Sequence, residues 1–513
     1  MKSRIFTIVL SVLIILAMYA GYVEFYKKNG LTAFINPAQS AQNNSNGVLC
    51  KDCNLIVVSL SNVSAKHMSL YGYERLTTPN LDELAKESIV FENAFTQSSW
   101  TLPVGVSFFT SLYPYSHGVM NRIENNVLSK NIITLPEILK LNGYKTAAFT
   151  GGLDYAKSFG HMRGFDEIEE EGGNGSWPTD SAGFNNTFRK ASSWIDKNSD
   201  SNFFVFLHGY DTHCPFTPPL EYRGIFSLRS EGVTIDNSLC VRAYQKIETN
   251  EYEAYYFRDG QQRVALNQED INYLEGLYDE EILSVDNQLA DFLSGIDKKI
   301  LDSTVIVVFS DHGEMFAKHG RFGRAGTIRG TLYDDVLHIP LIIKLPNVKG
   351  KKITGLVQMI DVMPTLLNVL DITNGDYVMT GKDLTDLING KKESVNDFIF
   401  SGSEFKVDLI DFVYKDKSIN EAIRDKRWKL IHEVVFDEKD EQKIKSETYE
   451  LYDVTRDPME LNNLIGQEKE IEKNLKTNLV DWAKSAKEFA NQQPNTKDLP
   501  DDFINEARKM GYW

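Results

Sequence analysis

Five short apolar runs, each ending in polar residues, limit what this chain can fold into. They are Leu55 to Leu60, Lys145 to Thr150, Phe203 to Leu207, Thr304 to Phe309 and Leu341 to Leu345. Runs of this length without polar alternation read as strands buried on both faces. Helical patterns separate them, at Leu81 to Lys86 and at Leu135 to Leu141. A longer one sets Leu274, Leu277, Ile282, Val285, Leu289 and Phe292 on one face. Strands alternating with helices predict an α/β fold whose largely parallel sheet is covered on both sides. Such sheets take ligands at the carboxyl ends of their strands.

The ends of those runs carry the polar chemistry. Ser61 and Asn62 follow the first, His208, Asp211 and His213 the third, and Asp311 and His312 the fourth. Polar residues end many strands because loops face water. The run Ser310-Asp311-His312-Gly313-Glu314, backed by His319-Gly320, is more specific.

A chain of 513 residues exceeds one compact core, so a large domain with a smaller companion is expected. Its formal charge of -17 speaks against a nucleic-acid partner, which needs a basic face. Lys2 and Arg4 precede an apolar run from Ile5 to Val23. That run is long enough to span a bilayer, and the leading positive charges favour an inside N-terminus. Residues 1–25 are thus expected to act as a membrane anchor, or as a signal segment, with the body exported. Residues 26–50, with the polar stretch from Pro37 to Gly47, read as a flexible linker. Cys50, Cys53, Cys214 and Cys240 suit two disulfides in an oxidising compartment.

Several stretches, in order, resemble the sulfatase family of the alkaline-phosphatase superfamily. They include Tyr71-Gly72-Tyr73, Thr78 to Asp82, Trp100 to Pro103, Leu112-Tyr113-Pro114 and His117-Gly118. Gly164-Phe165-Asp166, His208 to Pro219, Tyr278 to Ile282, Asp311-His312-Gly313, Asp361 to Leu367 and Glu450 to Asp453 continue the series. The resemblance implies an α/β/α sandwich around a large mixed, mostly parallel sheet over residues 51–394. It also implies a smaller C-terminal α+β subdomain over residues 395–513.

What the resemblance implies for chemistry is displacement at sulfur or phosphorus, beside a divalent cation that polarises the ester oxygens. Asp311 and His312 match metal ligands, and Ser61 and Asn62 stand where the family has metal-binding aspartates. His213 matches the histidine that protonates the leaving group or binds the ester oxygen. Arg329 and His319 are candidate substrate contacts, and Thr101 falls at the nucleophile position. Thr101 also suits a helix N-cap before Pro103. Thr101 cannot become the formylglycine of sulfatases proper, and Gly105 stands where they carry an arginine. The cation is expected to be calcium first, with magnesium, manganese or zinc as alternatives, and weakly held because carboxylates are missing.

The leading expectation is a sulfate or phosphate ester hydrolase with a metal-assisted threonine, acting outside the cytoplasm. Its partner would be a sulfated or phosphorylated small molecule or glycan, with the membrane held through the N-terminal helix. An impaired relative that only binds such a glycan is the alternative, and an envelope phospho-transferase a lesser one. The segment from Glu221 to Asn267 is expected at the pocket rim.

Overall fold

The computed structural model describes residues 49–492, apart from 121–126, 171–182, 236–240, 246–251, 257–262, 265, 324–330, 374–376, 406–416, 438–439 and 441. The apolar run from Ile5 to Val23, the stretch from Pro37 to Gly47, Cys240 and Arg329 lie outside the described residues. Among those described, no helix is long and apolar enough to cross a membrane.

The main sheet is built from β1 (Asn54–Leu60), β2 (Ile89–Phe91), β3 (Lys145–Thr150), β4 (Glu167–Glu170), β5 (Phe203–Gly209), β6 (Thr304–Ser310), β7 (Leu341–Lys344) and β8 (Lys351–Ile353). Its order is β8-β2-β7-β6-β1-β5-β3-β4. The three central strands run parallel, with β7 antiparallel to β6 and to β2. The mixed, mostly parallel sheet expected from the resemblance is therefore present. All five apolar runs are strands in it.

Alternation along each strand divides the core into two layers. Leu55 and Val57 of β1, Phe204 and Phe206 of β5, and Val307 and Phe309 of β6 pack with Val104 and Phe108 of helix α1 (Thr101–Thr110). Ile56 and Val58, Val205 and Leu207, and Ile306 and Val308 pack on the other face. There they meet helices α2 (Phe184–Asn198) and α3 (Gln268–Ser294). The apolar positions read as one face of a long helix, Leu274 to Phe292, all lie in α3 and are buried. Asn267 caps that helix, its side chain accepting from Asp270 N.

A four-stranded antiparallel sheet follows from Ile399, with strands β9 (Ile399–Phe405), β10 (Ser418–Arg424), β11 (Trp428–Phe436) and β12 (Ile444–Asp453). Helix α4 (Lys469–Gln492) buries Leu475, Leu479 and Trp482 with Leu430 and Leu451 of that sheet. Within the 221–267 segment, the strand Val241–Gln245 pairs antiparallel with Arg321–Phe322, directly after His319-Gly320. Cys50 and Cys53 form a disulfide, and Cys214 is also disulfide-bonded.

Candidate active site

Register brings three strand ends abreast: Leu60 of β1 stands opposite Ser310 of β6 and Gly209 of β5. The residues just beyond, Ser61, Asp311 and the 210–214 loop, therefore emerge side by side. Asn62 takes a left-handed backbone, φ 62°, which asparagine tolerates better than most residues. That turn aims its amide at the neighbouring strand. Asn62 N and His312 N both donate to Asp311 Oδ1, each at 2.9 Å.

The Asn62 side chain is fixed by what it donates to. Its Nδ2 reaches Thr212 O at 3.1 Å and Glu314 Oε2 at 2.9 Å, so Oδ1 faces away from both. Thr212 in turn donates its hydroxyl to Ser61 O. The loop bearing His213 is thus clasped to the end of β1. His213 Nδ1 donates to Cys214 O at 2.7 Å, which leaves Nε2 as the ring's second polar atom.

Thr101 opens helix α1, with Trp100 as the N-cap and no side-chain capping bond. The expected capping role for Thr101 is therefore not realised. Its hydroxyl instead lies 3.3 Å from His312 Nε2, and both residues are buried. His312 Nδ1 is 3.0 Å from the Gly313 carbonyl, which can only accept, so Nδ1 carries the proton. Nε2 then presents a lone pair 3.4 Å from Asp311 Oδ2. Two acceptors that close call for a proton or a cation shared between them.

Three more groups at this rim are buried without a partner: Ser61 Oγ, Asn62 Oδ1 and Asp311 Oδ2 itself. Each such atom costs about 1–3 kcal/mol if left unpaired. Asp311 and Glu314 are buried carboxylates, and among the described residues no lysine or arginine pairs with either. Unpartnered oxygens, a nitrogen lone pair and uncompensated negative charge together fit the donor set of a divalent cation. Glu314 turns inward, whereas Asp211 turns away to accept from Phe184 N at 2.7 Å. The Asp211 carboxyl is raised by burial.

Two residues here had no role assigned from sequence. His208 is in register with Ser59, on the face that packs against α1, and neither ring nitrogen has a partner. Burial pushes its imidazole down to about 4, although Asp311 opposes that shift. The Tyr155 ring lies tilted 4.6 Å from His208, with its hydroxyl 3.5 Å from Ser59 Oγ. Tyr155 also occupies the space over Gly105, where a Cβ would meet its ring at 2.8 Å. Tyr155 thereby fills, from another segment, the space that Gly105 leaves open. A sequence signal existed for His208: it breaks the apolar face set by Phe204 and Phe206.

The remaining expected residues lie elsewhere. His117 braces α1, with Nε2 3.2 Å from Pro103 O and 3.1 Å from Ser107 Oγ, while Nδ1 accepts from Val119 N. His319 stacks on Tyr333 at 3.7 Å and joins Asp335 and Glu460, their ligand atoms all within 4.8 Å. Those two carboxylates are already engaged: Asp335 by Lys66 and Lys318, Glu460 by Lys429. A cation there would have to displace three ammonium groups.

Residues 53–372 match the family described as Sulfatase, and residues 325–485 match N-sulphoglucosamine sulphohydrolase, C-terminal. An arylsulfatase of Clostridium perfringens is 23% identical over 81% of this chain and 90% of its own. A ulvan-active sulfatase of Formosa agariphila is 24% identical over 89% of this chain and 87% of its own. The solved structure of a 2-O GAG sulfatase superposes with a TM-score of 0.65 at 18% identity, over 89% of this chain and 96% of that one.

Proposed function

The chain belongs to the sulfatase family, hydrolases of sulfate esters, and on that premise we propose that Thr101 is its nucleophile. The observation that carries this reading is the buried Thr101 hydroxyl 3.3 Å from His312 Nε2, at the rim where Asp311 Oδ2 has no hydrogen-bond partner. Helix α1 begins at Thr101, so a sulfate group meeting this hydroxyl would lie at the positive end of the helix dipole. His213, oriented by the Cys214 carbonyl, would protonate the departing alcohol through Nε2.

Attack would form a Thr101 Oγ–S bond and break the ester S–O bond, releasing the alcohol. Water would then attack sulfur, release sulfate and restore the hydroxyl. Asp311, His312, Asn62 and Ser61 would hold a divalent cation, which supplies charge neutralisation at the ester oxygens. A formylglycine is not part of this scheme, because threonine lacks the chemistry to form one. Sulfated sugars are the proposed substrates, by likeness to relatives that act on ulvan and on a GAG. Export and anchoring through Ile5 to Val23 complete the proposal, and protease accessibility on intact cells tests that part.

The direct test is hydrolysis of nitrophenyl sulfate, nitrophenyl phosphate and sulfated oligosaccharides by the full chain and by Thr101→Ala. The expected result is sulfate release that vanishes in the variant, with a sulfated Thr101 peptide trapped on acid quenching. Equal rates in the two proteins would remove Thr101 from the mechanism.

A further inference from the structure

We propose that Glu281 of helix α3 is a positioning residue, which fixes where His213 stands relative to the Asp311 rim. The inference rests on the hydrolytic reading above, with His213 as its acid. It concerns a carboxyl group to which that reading assigns nothing.

The loop from Tyr210 to Thr217 is the first argument, because it is tied at both ends. On the rim side, Thr212 donates its hydroxyl to Ser61 O, and its carbonyl accepts from Asn62 Nδ2 at 3.1 Å. At the far end, Thr217 N donates to Glu281 Oε1. His213 lies between these ties, its own N–H donating to Tyr210 O at 3.0 Å. Phe216, next to Thr217, packs edge-on against Tyr278 with ring centroids 5.6 Å apart.

The helix is the second. Tyr278 and Glu281 are three residues apart on α3, so they face the same way. The Tyr278 hydroxyl donates to Asn62 O at 2.7 Å and accepts from Ser64 N at 3.0 Å. One rigid element therefore holds both the end of β1, where Asn62 stands, and the loop that carries His213. A helical turn sets the distance between them. Proton transfer works only within hydrogen-bond reach, so an acid gains from a fixed mount.

Cost is the third. Glu281 is buried, and its Oε2 has no hydrogen-bond partner. Burial pushes its carboxyl well up, against the Thr217 N–H bond, and Asp211 and Glu280 add to the rise. The neighbouring Glu280 shows the contrast. Its Oε1 accepts from Gly224 N, Phe226 N and Ser227 N, and the Ser227 hydroxyl reaches both of its oxygens. A buried carboxyl with one oxygen open works against the fold. Such local costs are kept where placement serves function.

The test measures kcat and KM of the full chain, Glu281→Leu and Glu281→Gln on nitrophenyl sulfate and on a sugar sulfate, with urea unfolding of each. Nitrophenolate leaves without a proton, whereas a sugar alcohol needs one. Glu281→Leu should lower kcat on the sugar sulfate at least about tenfold and on nitrophenyl sulfate less than about twofold, with KM unchanged. Its unfolding midpoint should stay near wild type, since removal of the buried carboxyl offsets the lost amide bond. Glu281→Gln, whose amide oxygen still accepts from Thr217 N, should recover most of the loss. In a His213→Ala background, Glu281→Leu should have no further effect. Equal losses on the two esters, or an undiminished loss in the His213→Ala background, would overturn the proposal and leave Thr101 as argued. Wild type without turnover on either ester would remove the hydrolytic reading, and this inference with it.

Discussion

Two buried polar clusters lie back to back in this molecule, and they are satisfied in opposite ways. At the junction with the C-terminal sheet, Asp334 meets Arg424 at 2.6 Å and Lys429 at 2.7 Å. Glu460 shares Lys429 at 2.6 Å, and Asp335 takes Lys318 at 2.5 Å and Lys66 at 3.0 Å. Burial disfavours the Asp334 charge, yet Arg424 and Lys429 hold its carboxyl far below the usual range. The Asp311 rim is equally buried, but Ser61 Oγ, Asn62 Oδ1, Asp311 Oδ2 and the His208 ring have no hydrogen-bond partner. Gly313 ties the two together, because a Cβ there would meet Asp335 O at 2.2 Å. Saturated polar groups hold a fold together, while groups left open at a strand end are reserved for something that binds.

Breaking the rim should therefore remove function and spare the fold. Asp311→Asn is expected to lower sulfate-ester turnover on the order of 10³-fold. Its unfolding midpoint in urea should hold or rise, since an uncompensated buried charge is removed. A clear drop in the midpoint would place Asp311 with the structural cluster instead. Breaking the junction should do the reverse. Lys429→Met leaves Asp334 short of a partner and Glu460 with only the Asp334 backbone N–H, at a loss of about 3–5 kcal/mol. Turnover per folded molecule should stay near wild type.

The strands that form the sheet were legible because buried parallel strands are apolar on both faces, and runs this short suit strands better than helices. Asp311, His312, Asn62 and Ser61 were legible as candidates because strand ends are where this architecture gathers ligands. Glu314 was harder: its inward turn depends on Asn62 Nδ2, a contact 252 positions away along the chain. Tyr155 could not be read at all, because its role is to fill space that Gly105 leaves open. A missing side chain gives no hint of which distant ring replaces it. This yields a smaller test. Gly105→Ala should cost about 1–3 kcal/mol by overpacking. Much less should be lost in a Tyr155→Ala background, the coupling being read from a double-mutant cycle.

A third cluster sits between the two extremes and gives the smallest expected effect. On the C-terminal sheet, His432 stands opposite Glu421 and Tyr449. Its Nδ1 lies 3.1 Å from Glu421 Oε2 and its Nε2 3.0 Å from Glu447 Oε1. Both partners only accept, so both bonds exist only while the ring carries two protons. Burial alone would lower the imidazole, but the Glu421 and Glu447 hydrogen bonds outweigh it and raise the group above 6.5. A histidine raised on folding contributes stability that is complete below the unfolded value of about 6.5 and fades as pH climbs through the folded one. Wild type should therefore lose its advantage over His432→Gln as pH rises from about 6 to about 8. With Glu447 nearly half exposed, solvent screening should keep that advantage to about 1 kcal/mol or less. Urea unfolding of both proteins across that range measures it. A constant difference would mean that His432 is held by its ring stacking on Tyr449, 4.3 Å away, rather than by charge.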